Sequence, residues 1–93
     1  DFLQSAREDM EALAKGAEGR DAALATRHAH RLKGAAAMVG ALPLAKVAAE
    51  LEAAGRNQDW LQVARLLPEA QEAVLALARF AESSPGPSAP PSA

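Results

Sequence analysis

Residues 29–40 read Ala-His-Arg-Leu-Lys-Gly-Ala-Ala-Ala-Met-Val-Gly, and this stretch decides the fold. On a helical wheel that turns about 100° per residue, one set of side chains falls within about 80° and forms a stripe that would face a core. That stripe consists of Leu24, His28, Leu32, Ala35 and Val39. His30 lies about 160° from the middle of the stripe. The stretch therefore predicts one helix of a bundle, with the imidazole of His30 exposed to solvent.

Small side chains surround His30 on the predicted outer face, where long polar side chains are usual. They are Ala23, Gly34, Ala37 and Ala41. Arg27 and Lys33 flank them. Another protein could approach such a surface closely enough to reach the imidazole, and an exposed imidazole offers an unprotonated ring nitrogen near neutral pH.

At these residues the chain resembles the histidine phosphotransfer (HPt) domains of two-component phosphorelays. The family signature is a His followed at the third and fourth positions by Lys and Gly, with a second Gly about ten residues after the His. His30, Lys33, Gly34 and Gly40 stand in those places, and residues 51–56 match the family's third helix and its exit. The resemblance extends over about residues 1–82. Two residues depart from the common pattern, since Ala35 replaces a frequent Ser and His28 replaces an aliphatic residue.

The resemblance implies an all-α fold, an antiparallel up-down-up-down four-helix bundle with the phosphoacceptor His30 on the second helix. It also implies that Lys33 stabilises the charge of the phosphoryl group and that Gly34 keeps the approach open. The partner is then a response-regulator receiver domain, which supplies the phosphorylated Asp and the Mg²⁺ ion. The bundle itself would bind no metal or cofactor and would have no kinase activity of its own. The expected docking surface consists of Ala23, Arg27, Arg31, Ala37, Met38 and Ala41.

Composition narrows the function classes further. The chain of 93 residues has no cysteine, which leaves no disulfide framework or Cys-based metal site. Its net charge of −2 gives no electrostatic footprint for nucleic acid. No apolar run approaches the roughly 20 residues that cross a bilayer. These features fit a cytoplasmic domain without membrane contact. The resemblance further implies a monomeric domain cut from the C-terminal end of a hybrid sensor histidine kinase.

The apolar periodicity predicts four helices joined by short connections. The predicted helices cover about residues 1–15, 22–39, 43–54 and 60–82. Asp21 and Asp59 are candidate N-caps, and Pro43 suits a first turn. Gly40 is either a C-terminal cap or a close-packing residue. Pro68 predicts a kink or, as the alternative, a split of the last helix, and the Pro/Ser-rich residues 83–93 predict a disordered tail.

Several residues receive structural interpretations. His28 is predicted to be partly buried and hydrogen-bonded, and it points too far from His30 to share a metal with it. The glutamates of helices one and three are predicted to form a solvated face, with no carboxylate pair for acid–base catalysis. Two other functions remain open for the whole chain. One is a bundle that docks a partner without carrying phosphate, and the other is the phosphoacceptor domain of a chemotaxis-type kinase.

Overall fold

The computed structural model describes residues 1–83, and this part of the chain is helical with no strand. Its four helices are α1 (Phe2–Gly19), α2 (Ala22–Met38), α3 (Leu42–Arg56) and α4 (Trp60–Ser83). Within this range α2 packs between α1 and α3, and α4 closes the bundle by packing against α3 and α1. Connections of two or three residues reverse the chain after each of the first three helices. The predicted four-helix bundle is confirmed.

Aspartate side chains fix the starts of three helices. Asp21 Oδ1 accepts the backbone N–H of Leu24 at 3.1 Å, and Asp59 Oδ1 accepts that of Gln62 at 3.2 Å. Asp1 starts α1 in the same way. Each bond satisfies one of the N–H groups that have no partner within the helix. The two predicted N-caps are thus confirmed, and α3 begins with a proline in its first turn, also as predicted.

The first three helices end in the same way, with one residue in the left-handed region. These residues are Arg20 (φ 53°), Gly40 (φ 76°) and Gln58 (φ 56°). After α2, for example, the N–H of Ala41 bonds to the carbonyl of Ala36 at 2.8 Å. This is the Schellman arrangement, which satisfies the last carbonyls of a helix. No atom lies within 4 Å of the position that a Cβ of Gly40 would take, so the cap interpretation of Gly40 is the correct one.

Glycines bring α1 and α3 close to the start of α2. The predicted break at Gly16 is wrong, since α1 continues to Gly19 and Gly16 is buried. A Cβ on Gly16 would lie 3.0 Å from the backbone N of Ala25, and one on Gly55 would lie 3.2 Å from Thr26 Oγ1. These glycines permit the close approach of both neighbours, and this packing explains why Gly16 stays within its helix.

The core-facing side of α2 differs from the predicted stripe. Its buried residues are Ala25, Ala29, Leu32 and Ala36. This set is rotated by about 70° from the predicted one, because alanines allow the neighbouring helices to approach more closely than leucines do. The prediction was wrong for Val39, which is 56% exposed at the end of α2.

The last helix is continuous through Pro68, so the predicted alternative of two separate helices is wrong. Pro68 lies on the exposed side of α4, where its ring does not disturb the core. The inner side of α4 is buried in the core and consists of Val63, Leu66, Ala70 and Val74. The predicted Pro/Ser-rich tail falls almost wholly on residues 84–93, which lie outside the described part of the chain.

Candidate functional site

The imidazole of His30 is 67% exposed and lies on the flank of α2 that faces α3. Its Nδ1 atom is 2.9 Å from Oε2 of Glu52 on α3. His30 is therefore accessible, as predicted, but it is held from one side by a carboxylate of the same domain. The rotation of α2 described above turns His30 from the middle of the outer face toward α3.

Glu52 is the centre of this site, although only 7% of it is exposed. Lys33 Nζ lies 2.7 Å from its Oε1, and Arg56 Nη2 donates to its Oε2 at 3.0 Å. The hydrogen bond from Lys33, followed by that from His30, lowers the pKa of Glu52 below its ordinary value of 4.5, although burial acts in the opposite direction. Glu52 is consequently a carboxylate at neutral pH.

The state of Glu52 determines the tautomer of His30. A carboxylate can only accept hydrogen bonds, so the proton between the two residues sits on Nδ1 of the imidazole. Nε2 then keeps its lone pair when the ring is neutral. The exposed ring thus offers one nucleophilic nitrogen, and Glu52 fixes which one it is.

Sequence reasoning missed both Glu52 and Arg56 as site residues. The prediction of a solvated face is wrong for Glu52, which lies on the side of α3 that packs against α2. A signal was present in the spacing of Glu52 and Arg56, which allows an ion pair one turn apart. The contact with His30 depends instead on how α2 and α3 pack together.

Open space surrounds Gly34, one turn after His30. Apart from its chain neighbours and the backbone of its own helix, no atom lies within 4 Å of the position that a Cβ of Gly34 would take. The packing of the bundle therefore does not require glycine here, unlike at Gly16.

Five of the six predicted docking residues are exposed. They are Ala23, Arg27, Arg31, Ala37 and Met38. The predicted exposure of Ala41 is wrong, since only 7% of its surface is accessible. Ala41 follows the left-handed Gly40, so the helical step that predicts its direction no longer applies there.

A second histidine pairs with a second carboxylate on the opposite flank of α2. His28 Nδ1 lies 2.8 Å from Oδ1 of Asp9 on α1, and their side chains are 16% and 3% exposed. Arg31 Nε is 3.7 Å from the same oxygen. The prediction of a partly buried, hydrogen-bonded His28 is confirmed. Asp9 is a partner of His28 that sequence reasoning did not identify.

The two histidines face different helices and do not form a joint site. Over residues 1–83, no group of three or more His, Cys, Asp or Glu side chains is arranged to hold a metal ion. None of the helices in that range combines the length and hydropathy needed to span a membrane. The side chains that the candidate site brings together are His30, Glu52, Lys33 and Arg56.

The family model of the Hpt domain matches residues 1–80 of the chain, which include all of these side chains. The chain belongs to the HPt family. Its assignment as an HPt domain supports a phosphotransfer role in two-component signalling, and HPt domains in general interact with response-regulator receiver domains. No curated protein and no solved structure matched this HPt domain.

Proposed function

We propose that this HPt domain carries a phosphoryl group on Nε2 of His30. It accepts the group from the aspartyl phosphate of a receiver domain and passes it to the aspartate of another receiver. The observation that carries this proposal is the bond between Nδ1 of the exposed His30 and the ionised Glu52. It leaves Nε2 as the free nucleophile on the solvent side.

The transfer step follows from this tautomer. The lone pair of Nε2 attacks phosphorus, the bond between phosphorus and the aspartyl oxygen breaks, and the receiver's carboxylate leaves. The ring retains its Nδ1 proton and becomes a phosphorylated imidazolium. Glu52 stabilises the developing positive charge through the Nδ1 hydrogen bond, in the way that a buried carboxylate supports the histidine of a catalytic triad. The reverse step delivers the group to the next aspartate.

Lys33 and Arg56 supply the charge that balances the phosphoryl oxygens. Both already contact Glu52, so two cations surround a single carboxylate beside His30. Their ammonium and guanidinium groups have further N–H donors that can turn toward a phosphoryl group on Nε2. Phosphoryl transfer depends mainly on such positioning and charge stabilisation.

The receiver supplies the remaining parts of the proposal. It brings the phosphorylated aspartate and the Mg²⁺ ion, and the open space at Gly34 admits its active site. The apolar part of the docking surface consists of Ala23, Ala37 and Met38. Arg27 and Arg31 pair with acidic groups of the receiver at the rim. The domain works as part of a larger cytoplasmic sensor kinase and has no kinase activity of its own.

One observation favours a second candidate, the phosphoacceptor domain of a chemotaxis-type kinase. An acyl phosphate is already activated, whereas the γ-phosphoryl group of ATP requires a stronger nucleophile. The bond with Glu52 raises the nucleophilicity of Nε2, which would serve attack on ATP held by a separate kinase domain. In that reaction the Nε2–phosphorus bond forms and ADP leaves.

The test incubates the purified domain with a phosphorylated receiver and Mg²⁺, and in a parallel arm with a histidine kinase domain and ATP. The expected product is acid-labile, base-stable phosphate on the wild type and none on His30→Gln. His28→Gln is the matched control, because it removes the other imidazole and should keep the label. Circular dichroism verifies that both variants fold. Labelling only in the ATP arm favours the second candidate, and failure in both arms favours a docking-only bundle.

A further inference from the structure

The outer face of α4 carries an apolar stripe that the bundle does not cover. Its members are Leu61, Ala64, Pro68 and Leu75, which are all exposed. On a helical wheel they fall within about 60° of one another and lie about 140° from the middle of the buried face of α4. We call these four residues the α4 stripe. Leu61 is 77% exposed and Leu75 is 49% exposed, so both ends of the stripe are available to a partner.

The α4 stripe is symmetric about Pro68. Leu61 lies seven residues before Pro68 and Leu75 lies seven residues after it, so the two leucines are about 21 Å apart along the helix axis. A two-fold axis through Pro68 therefore brings Leu61 of each copy against Leu75 of the other. Spacings of three, four and seven residues are those of helices that pair side by side. Ala64 and Pro68 are compact and allow two such helices to approach closely at the centre.

A groove beside Leu75 offers a place for the leucine of a second copy. This groove lies between α1 and α4, and Met10, Val74 and Leu75 are its apolar walls. Its polar lining residues are Arg7, Glu11 and Gln71. In the two-fold arrangement Leu61 of the second copy lies against Leu75 and enters the groove. The same contact forms at the other end of the interface.

The charges beside the α4 stripe fit the same arrangement. Arg65 and Glu72 are exposed on one flank of the stripe, seven residues apart. In an antiparallel pair of helices this flank faces the same flank of the partner, so Arg65 of each copy lies near Glu72 of the other. Within its own helix Glu72 is 3.9 Å from Arg79, which is too long for a hydrogen bond. Its carboxylate can thus accept from the arginine of a second copy.

Pro68 also leaves a backbone acceptor at the centre of the α4 stripe. Proline has no N–H, so the carbonyl of Ala64 lacks the donor that position 68 supplies in other helices. The two-fold arrangement places Gln71 of the second copy beside Ala64. The side-chain amide of that glutamine can donate to this carbonyl.

We propose that two copies of this domain pair through the α4 stripe as an antiparallel dimer. The two-fold symmetry of the stripe and of its flanking charges selects a second copy as the occupant, because such an interface uses the same residues of both copies. The inference goes beyond the proposed function and does not depend on it. It also differs from the monomer that the family resemblance implies.

The helices that carry the surface around His30 do not fit a second copy. Residues 22–49 contain no Asp or Glu, although they include four cations, namely Arg27, Arg31, Lys33 and Lys46. Pairing through this segment would place like charges face to face. Within residues 1–83, α4 contacts α1 and α3 but not α2. A dimer through the α4 stripe therefore leaves the surface around His30 accessible in both copies.

Sedimentation equilibrium from micromolar to millimolar concentration tests the dimer. We expect the wild type to associate reversibly in this range. In Leu61→Gln/Leu75→Gln the dissociation constant should rise by about 100-fold or more, since four leucines per dimer lose their burial. The matched control is Met38→Gln/Leu42→Gln, which removes two exposed apolar side chains outside α4 and should associate like the wild type. Circular dichroism verifies that both variants fold.

Three results of this experiment would overturn the inference. The first is a wild type that stays monomeric up to millimolar concentration. The second is a dimer that persists unchanged in Leu61→Gln/Leu75→Gln. The third is a dimer that the control weakens as much, which would place the interface on another surface.

Exchange of charges tests the antiparallel arrangement without altering the apolar contacts. Arg65→Glu alone and Glu72→Arg alone should each weaken association by about tenfold, because two like-charge contacts replace two ion pairs. An equimolar mixture of the two variants should associate as tightly as the wild type, since each contact then joins opposite charges. A mixture that associates no better than either variant alone would contradict the antiparallel pairing.

Phosphotransfer separates this inference from the proposed function. Leu61→Gln/Leu75→Gln changes no residue near His30, so a phosphorylated receiver should label it at the wild-type rate. Loss of labelling in this variant alone would overturn the claim that the dimer leaves His30 accessible independently of the α4 stripe. Absence of labelling in both proteins would count against the proposed function, and the sedimentation result would still decide the dimer.

Discussion

The attack of Nε2 leaves positive charge on the ring of His30, and the nearest negative charge is the carboxylate of Glu52, 2.9 Å from Nδ1. Replacement by glutamine keeps the size of the side chain but removes this charge. A hydrogen bond to a charged group contributes about 1.5–3 kcal/mol, so we expect the transfer rate of Glu52→Gln to fall by about 10- to 100-fold. Rapid-quench measurement of phosphohistidine formation tests this.

Glu50→Gln is the control for this substitution. Glu50 is exposed on the same helix, and no ion pair or hydrogen bond of its side chain is found among the described residues. Its replacement makes the same change in net charge and should leave the rate unaltered. An equal loss of rate in both variants would show that overall charge matters rather than the bond to His30.

The lowered pKa of Glu52 also predicts how stability depends on pH. Because the pKa is lower in the folded than in the unfolded state, the ionised network contributes stability that is fully present above the ordinary value of 4.5. That contribution is lost as the pH falls from 4.5 through the folded-state pKa. Urea unfolding should therefore show a difference between wild type and Glu52→Gln that shrinks over this acidic range. A difference that is constant with pH would contradict the assigned role of Lys33 and His30 in lowering the pKa.

Gly34 tests whether access to His30 is limited by steric hindrance. A Cβ at this exposed position meets no atom outside its own stretch of helix, and glycine costs about 1 kcal/mol in a helix interior relative to alanine. Gly34→Gln should thus unfold at a higher temperature but transfer phosphate more slowly, since its side chain occupies the partner's approach. Gly19→Gln is the control, because Gly19 also has open space around it and lies at the end of α1. Unchanged transfer in Gly34→Gln would show that the approach is wider than proposed.

Single residues differ in how far the sequence predicts them. Asp21 and Asp59 act on their own helix within three residues, and the sequence alone is enough to place them. The burial of His28 follows from its own helical wheel. Glu52 and Asp9 are different, because each is buried by contacts with a neighbouring helix. A helical wheel gives the direction of a side chain but does not contain the neighbour that it meets.

At the level of elements, the ends of α1 and α3 carry conformational strain. Arg20 and Gln58 adopt positive φ, which costs a residue with a Cβ about 1–2 kcal/mol and costs glycine little. Both Arg20→Gly and Gln58→Gly should therefore stabilise the bundle, by about 0.5–1 kcal/mol each after the added entropy of the unfolded chain is subtracted. Chemical denaturation measures this change.

Gly40→Ala is the converse variant at the end of α2. It introduces a Cβ at φ 76° and should destabilise the domain by about 1 kcal/mol. A loss of stability in Arg20→Gly or Gln58→Gly would mean that these side chains contribute more than their backbone strain costs.

The helix boundaries differ in how well the sequence predicts them. The starts at Asp21, Asp59 and Pro43 carry chemical signals, and these are the boundaries that the sequence places well. The end of α1 was placed too early, because glycine at position 16 is read as a break when its neighbour Ala25 is unknown. The predicted burial of Val39 and the predicted exposure of Ala41 are wrong for a related reason. The helical period on which both predictions rest no longer holds beyond Met38.

For the molecule as a whole, the close packing of α2 depends on two glycines of other helices. A methyl group on Gly16 would press against the backbone of Ala25, which cannot turn away as a side chain would. Gly16→Ala should hence destabilise the bundle by about 1–3 kcal/mol, despite the better helix propensity of alanine. Gly19→Ala is the matched control and should be stabilising, if anything, since nothing lies near its Cβ position. Equal melting temperatures for Gly16→Ala and wild type would show that α1 and α2 separate at no cost.

The segregation of the carboxylates from residues 22–49 gives the domain an electric dipole whose positive end is the surface around His30. In the field of an acidic partner, such a molecule experiences a torque and turns this surface forward before the two proteins touch. The rotational search for a productive encounter is thereby shortened. Dissolved salt, which screens charges over about 8–10 Å at physiological strength, lengthens that search again. The absence of acidic residues from α2 and the first half of α3 is therefore expected to shorten the time that the domain needs to present this surface to an acidic partner.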